Sequence, residues 1–129
     1  MLALPRCRGV LLLVALAAAC SGGGNGPTTP SGPPVSPHRI TITASGISPG
    51  ELVVPPGARV LIVNSDTRRH DIKSDGHPEH DDCPELNQVG VLQPGQSRET
   101  GNLVAPGACG YHDDDSPGSP VFRGTIVIR

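Results

Sequence analysis

Two stretches hold residues whose types can do chemistry. "HPEHDDC" sets His77, His80, Asp81, Asp82 and Cys83 within seven positions, and "CGYHDDD" sets Cys109 three residues before His112 and then Asp113, Asp114 and Asp115. His70 precedes both. Imidazole nitrogens, carboxylate oxygens and a thiolate are all metal donors. A C-x-x-H pair reads as a thiolate-and-imidazole ligand set only while the thiol is free, because metals bind the thiolate. If Cys109 is oxidised, the donors left are His70, His112, His77, His80 and Asp113, a nitrogen and oxygen set that suits copper(II), zinc or nickel. The same residues would also serve a plain polar loop and a solvated acidic turn. The spacing of a calcium-binding loop is absent. No nucleophile–base set emerges from the spacing either, so the chain does not read as an enzyme.

The N-terminus concerns delivery rather than chemistry. Arg6 and Arg8 precede an apolar run from Val10 to Ala19 that ends at Cys20. A basic start, a short apolar run and small residues before a cut site read as a secretory signal, and the run is short for a bilayer span. Ala18-Ala19-Cys20-Ser21 resembles the lipobox of bacterial lipoproteins, with Ala17 departing from the Leu or Val preferred there. The resemblance implies a signal peptide over 1–19, lipidation of Cys20 and membrane attachment outside the cytoplasm. An ordinary signal peptide is the alternative. Ten of the sixteen residues from Gly22 to Pro37 are Gly or Pro, a composition that cannot bury apolar surface. Residues 20–37 therefore read as a tether.

Residues 38–129 make one small domain, expected to be monomeric. With one Phe, one Tyr and no Trp, aliphatic side chains must build its core. A net charge of −2 argues against a nucleic-acid partner. "HRITITA" (38–44) alternates as a half-buried strand does. Short apolar or alternating segments recur at 51–54, 58–64, 70–75, 97–104, 108–112 and 123–129, separated by Gly and Pro. About seven short strands is the pattern of an all-β sandwich. The polar stretch from Gly76 to Gly90 has no period, and a long irregular loop in a compact domain is usually functional.

Three stretches together resemble the cupredoxin family of plastocyanin- and azurin-like copper proteins. "VPPGARVLIVN" sets Val54, Gly57, Val60 and Asn64 at V-x-x-G-x-x-V-x-x-x-N spacing, with His70 shortly after. "LQPGQSRET" is similar to the turn before the penultimate strands, and "APGACGYH…RGTIVI" is similar in part to the closing block. The resemblance implies a Greek-key β-sandwich with copper at one end, held by a His at the position of His70 and by a Cys and a second His from the loop before the last strand. Two imidazoles and a thiolate suit both copper oxidation states, which favours electron transfer. The axial Met of the family has no counterpart, since Met1 is the chain's single Met.

The closing loop can be placed in two ways. Anchored on C-x-x-H, Cys109 is the thiolate and His112 the second imidazole, but the strand is then short and the loop long. Anchored on Gly107 and Gly124, almost no gap is needed, and Cys109 falls on a buried strand position. Asp113 or Asp114 then stands where the family has its cysteine. Strand parity sets Cys109, Tyr111 and Asp113 on one face and His112 on the other. In this placement Cys83 and Cys109, the two thiols left after processing, are free to pair in an oxidising compartment. The functional expectation is a lipid-anchored protein that binds copper, or another divalent metal, through a His-based site. It would hold copper or transfer electrons, with a redox or copper-transfer protein as partner. The alternative is a metal-free structural or interaction sandwich stapled by the disulfide.

Overall fold

A computed structural model describes residues 36–129. The signal segment 1–19, Cys20 and the tether up to residue 35 lie outside the described residues. Among the described residues nine strands form, rather than seven: β1 (Arg39–Thr43), β2 (Gly46–Ser48), β3 (Glu51–Val54), β4 (Leu61–Asn64), β5 (His70–Ser74), β6 (Gly90–Leu92), β7 (Ser97–Glu99), β8 (Gly107–Asp113) and β9 (Arg123–Ile128). The two additional strands, β2 and β6, have three residues each. That is too short to show an alternation. Both form because a neighbour holds them: β2 folds back on β1 with Thr43 opposite Gly46, and β6 pairs with β5 with Leu92 opposite His70.

The strands make two mixed sheets, ordered β2-β1-β4-β7 and β3-β9-β8-β5-β6. The chain passes repeatedly between them, so most sheet neighbours are distant in sequence. This is a Greek-key β-sandwich. Ile40, Ile42, Val60 and Ile62 bring the four-stranded side to the core, and Val54, Ile72, Leu92, Tyr111, Ile126 and Ile128 bring the five-stranded side. All are buried, and all but Tyr111 are aliphatic.

Asn64 ends β4 and shapes the connection to β5. Its side-chain amide donates to the carbonyls of Arg68 (2.7 Å) and Leu92 (2.9 Å), and its Oδ1 accepts from the Asp66 N–H (2.9 Å). A fully buried amide must find such partners. Here they close residues 65–69 into a tight turn that delivers His70 at the first position of β5.

The segment from Asp75 to Val89 is irregular apart from a 3-10 turn over Leu86–Gln88. Polar contacts and apolar anchors order it. Leu86 and Val89 sink into the core. Ser74 Oγ and Asn87 Nδ2 both donate to the His80 carbonyl (2.7 and 2.6 Å), and the Ser74 N–H donates to Asn87 Oδ1 (2.8 Å). No helix among the described residues is long and apolar enough to cross a membrane.

Candidate metal centre

Strand β8 decides which chemistry is available. Its side chains alternate by the period-2 rule: Cys109, Tyr111 and Asp113 face the core, and His112 takes the opposite face, where it is still buried because the Asp75–Asp82 segment covers it. Cys109 is bonded to Cys83, with Cα atoms 5.6 Å apart. A disulfide sulfur is not a thiolate, so C-x-x-H is not a ligand pair here. The bond fixes the middle of the long loop to β8.

His70 and Asp113 do not join the other candidate ligands. His70 is buried with Nδ1 2.9 Å from Asp113 Oδ2 and Nε2 3.0 Å from Asp66 Oδ2. Both ring nitrogens therefore face carboxylates, and neither presents a free lone pair to a cation. Asp113 Oδ1 also accepts from the Asp71 and Asp115 N–H groups (2.9 and 3.2 Å). Phe122 packs against the His70 ring at 5.1 Å between centroids, and Arg68 lies over Phe122 at 5.3 Å. Burial alone would raise the Asp66 pKa. Hydrogen bonds from His70 and the Thr67 N–H, together with the Arg68 charge, outweigh it and hold the carboxyl below its ordinary value. Parity explains the separation: adjacent strand residues 112 and 113 point to opposite faces, so one ion cannot reach both.

A different set converges on the far side of the sheet. His77, His80, His112 and Asp114 each bring one donor atom within 4.8 Å of the others. Asp114 Oδ1 lies 3.4 Å from His77 Nδ1, 3.5 Å from His80 Nε2 and 3.7 Å from His112 Nε2. These separations exceed hydrogen-bond range for well-made bonds. Asp114, two residues beyond His112, shares its side of the sheet, and its N–H is held by the Asp71 carbonyl (2.7 Å).

Two of the three rings, half-buried His80 and buried His112, are each oriented by a contact on the other nitrogen. His80 Nδ1 donates to the Ser74 carbonyl at 2.9 Å, which leaves the Nε2 lone pair pointing inward. His112 Nδ1 donates to Asp75 Oδ1 at 2.8 Å, with the same effect. Metal-bound histidines commonly show this pattern, in which a carboxylate or carbonyl fixes the tautomer. His112 Nε2 and Asp114 Oδ1 are buried without a hydrogen-bond partner, an arrangement that costs free energy unless something fills it. His80 has φ 56°, a left-handed conformation costing ~1 kcal/mol for a residue with a Cβ. It is held there by the two donors on its carbonyl.

Glycine makes one of these contacts feasible. A Cβ at Gly110 would collide with the Asp75 carboxylate. Gly110 lies two residues before His112 on the same face of β8, so its missing side chain is the space in which Asp75 sits. The Asp75 N–H bonds to the Gly110 carbonyl at 2.9 Å.

No protein-family model matches the sequence, and no curated protein matches it. Among solved structures, the fold is similar to a purple cupredoxin from Nitrosopumilus maritimus (21% identity, TM-score 0.56, 71% of this chain and 99% of that one). It is similar to an oxidised amicyanin mutant (19% identity, TM-score 0.56, 71% and 81%) and to oxidised plastocyanin from Dryopteris crassirhizoma (18% identity, TM-score 0.54, 70% and 99%). The described domain is thus a cupredoxin-like β-sandwich. A thiolate copper centre does not fit its residues: Cys109 is in a disulfide and both His70 nitrogens are engaged. Among the described residues, the donor set that could hold a metal is three imidazoles and one carboxylate, away from His70.

Proposed function

We propose that this is a lipid-anchored, extracytoplasmic cupredoxin-like protein that holds a divalent cation, copper(II) foremost, through His77, His80, His112 and Asp114. The carrying observation is the pair of buried, unpartnered atoms, His112 Nε2 and Asp114 Oδ1, aimed at the same space as two further imidazoles. Three nitrogens and an oxygen suit zinc and copper(II), and copper(II) binds such donors more strongly than zinc. Without a thiolate the site favours holding copper over fast electron exchange, and no catalytic role is assigned to it. A copper-transfer protein is the fitting partner, reaching the site where His77 is exposed. The lipobox-like Cys20, the Gly/Pro tether and the Cys83–Cys109 bond all support a place outside the cytoplasm.

The test is metal analysis of purified protein, with titration of copper(II) followed by visible and electron paramagnetic resonance spectra. A single equivalent per chain, pale in colour and with imidazole nitrogen coupling, is expected. An intense blue or red colour would mean a thiolate ligand and overturn the assignment. Absence of uptake would favour the metal-free sandwich. Lipidation is checked separately: the C20S substitution should release the protein from the membrane fraction.

A further inference from the structure

A cleft of about 510 Å³ opens beside the four donors, and its lining includes His77 and His112 but neither His80 nor Asp114. Anything in the cleft therefore approaches the cation from one side, between those two rings. Gly76, Pro117 and Gly118 form uncharged wall, Asp75 lines the cleft beside His112, and Arg123 stands at the rim. The Arg123 side chain is 54% exposed, and its contact with Asp75 Oδ1, at 3.9 Å, lies beyond hydrogen-bond reach.

We infer that the cation, on the reading that these four residues hold one, keeps a position open to a small monoanion seated between His77 and His112 and secured by Arg123. The charges are consistent with this. A divalent cation with one carboxylate ligand retains a positive charge, and the Arg123 charge offsets that of Asp75. Two other nearby carboxylates are turned elsewhere: Asp113 inward to His70, and Asp115 to Arg69 at 2.8 Å through both oxygens. Guanidinium offers a fork of donors matched to a carboxylate-like anion. Copper(II) accepts a further ligand readily when four protein donors leave a side open. The ligand class is a small oxygen- or nitrogen-donor monoanion of the carboxylate, hydrogencarbonate or azide type.

The test uses the copper(II)-loaded protein titrated with sodium azide, read by the azide-to-copper charge-transfer band and by the resonance spectrum. Saturable binding is expected, weakened about tenfold by R123Q, with copper uptake retained. R39Q, on β1 of the other sheet, should leave the azide affinity unchanged. Copper uptake without any spectral response to azide would overturn the open position. A response that R123Q leaves unaltered, or that R39Q weakens equally, would overturn the seat at Arg123. A protein that takes up no copper defeats the underlying metal reading instead, so the two failures are told apart.

Discussion

His112 donates from Nδ1 to Asp75 at 2.8 Å, while its Nε2 faces Asp114 Oδ1 at 3.7 Å with no hydrogen bond. One carboxylate sets the ring and the other shares its target. The two should respond differently to substitution. D75N should leave the fold intact and weaken copper(II) affinity about 10–100-fold, the usual loss when an orienting carboxylate is removed. H112A should remove tight binding altogether. Competition titration against a chelator of known affinity measures both, and unchanged affinity in D75N would contradict the orienting role.

Gly110 supplies a subtler probe. In G110A the new methyl would meet the movable end of Asp75, so the carboxylate shifts rather than the backbone. The variant should fold, with a small drop in Tm, and its copper affinity should fall toward that of D75N. A G110A protein with wild-type affinity would show that Asp75 can orient His112 from another position.

The disulfide closes a sequence separation of 26. On the chain-entropy model this constrains the unfolded state by about 3.5 kcal/mol. C83A/C109A should therefore unfold at lower urea by roughly that difference in free energy. A variant within about 1 kcal/mol of the parent would mean that Leu86, Val89 and the Ser74–His80–Asn87 bonds hold the loop unaided.

Tyr111 is the chain's single tyrosine, and burial pushes its pKa well above the ordinary value. The unfolded chain ionises near pH ~10, so the stability from keeping the ring neutral is complete below that pH and declines as pH rises above it. Ultraviolet titration should show phenolate only together with unfolding. Because the hydroxyl is buried without a partner, Y111F should be neutral or slightly stabilising at pH ~7 and should unfold less steeply in alkali.

Asp66 has the opposite sign. Its carboxyl is held below the ordinary carboxylate value through His70, Thr67 and Arg68, against the effect of burial. Its contribution is thus present above the unfolded pKa of about 4 and is lost as pH falls through the lower folded value. D66N should lower Tm at neutral pH, and the gap from wild type should close on acidification. A gap that stays constant with pH would remove the ionised carboxylate from the explanation.

The sequence revealed the sandwich because β1, β5, β8 and β9 carry regular alternation or apolar runs between Gly and Pro turns. β2 and β6 exist by pairing, which no short window reveals. The Cys83–Cys109 bond was open to sequence reasoning through two surplus thiols and the Gly107-to-Gly124 spacing. The candidate metal site was legible only in part. His77, His80 and His112 stood out by type. Asp113 was the natural companion of His112 by adjacency, yet parity sends it inward, and Asp114, two residues on from His112, takes that place. His70 reaches the strand end that its spacing from Asn64 implies, but Asp66 and Asp113 occupy its nitrogens. Asp75 gave no local signal, since its role depends on the vacant face of Gly110, thirty-five residues later in the chain.

The donors and the disulfide are also nested along the chain. From His77 the backbone reaches Cys83 in six residues, and from Cys109 it reaches His112 in three. Crossing at the sulfurs, the path between the two imidazoles is a short ring. Without the sulfur bond it is a ring of 35 residues. Loop-closure entropy grows with the logarithm of ring size, so in the unfolded chain the inner crosslink lowers the cost of bringing the two imidazoles together by about 1 kcal/mol. Oxidation of two sulfurs that stand outside the proposed donor set thus bears on how readily those donors meet as the chain folds.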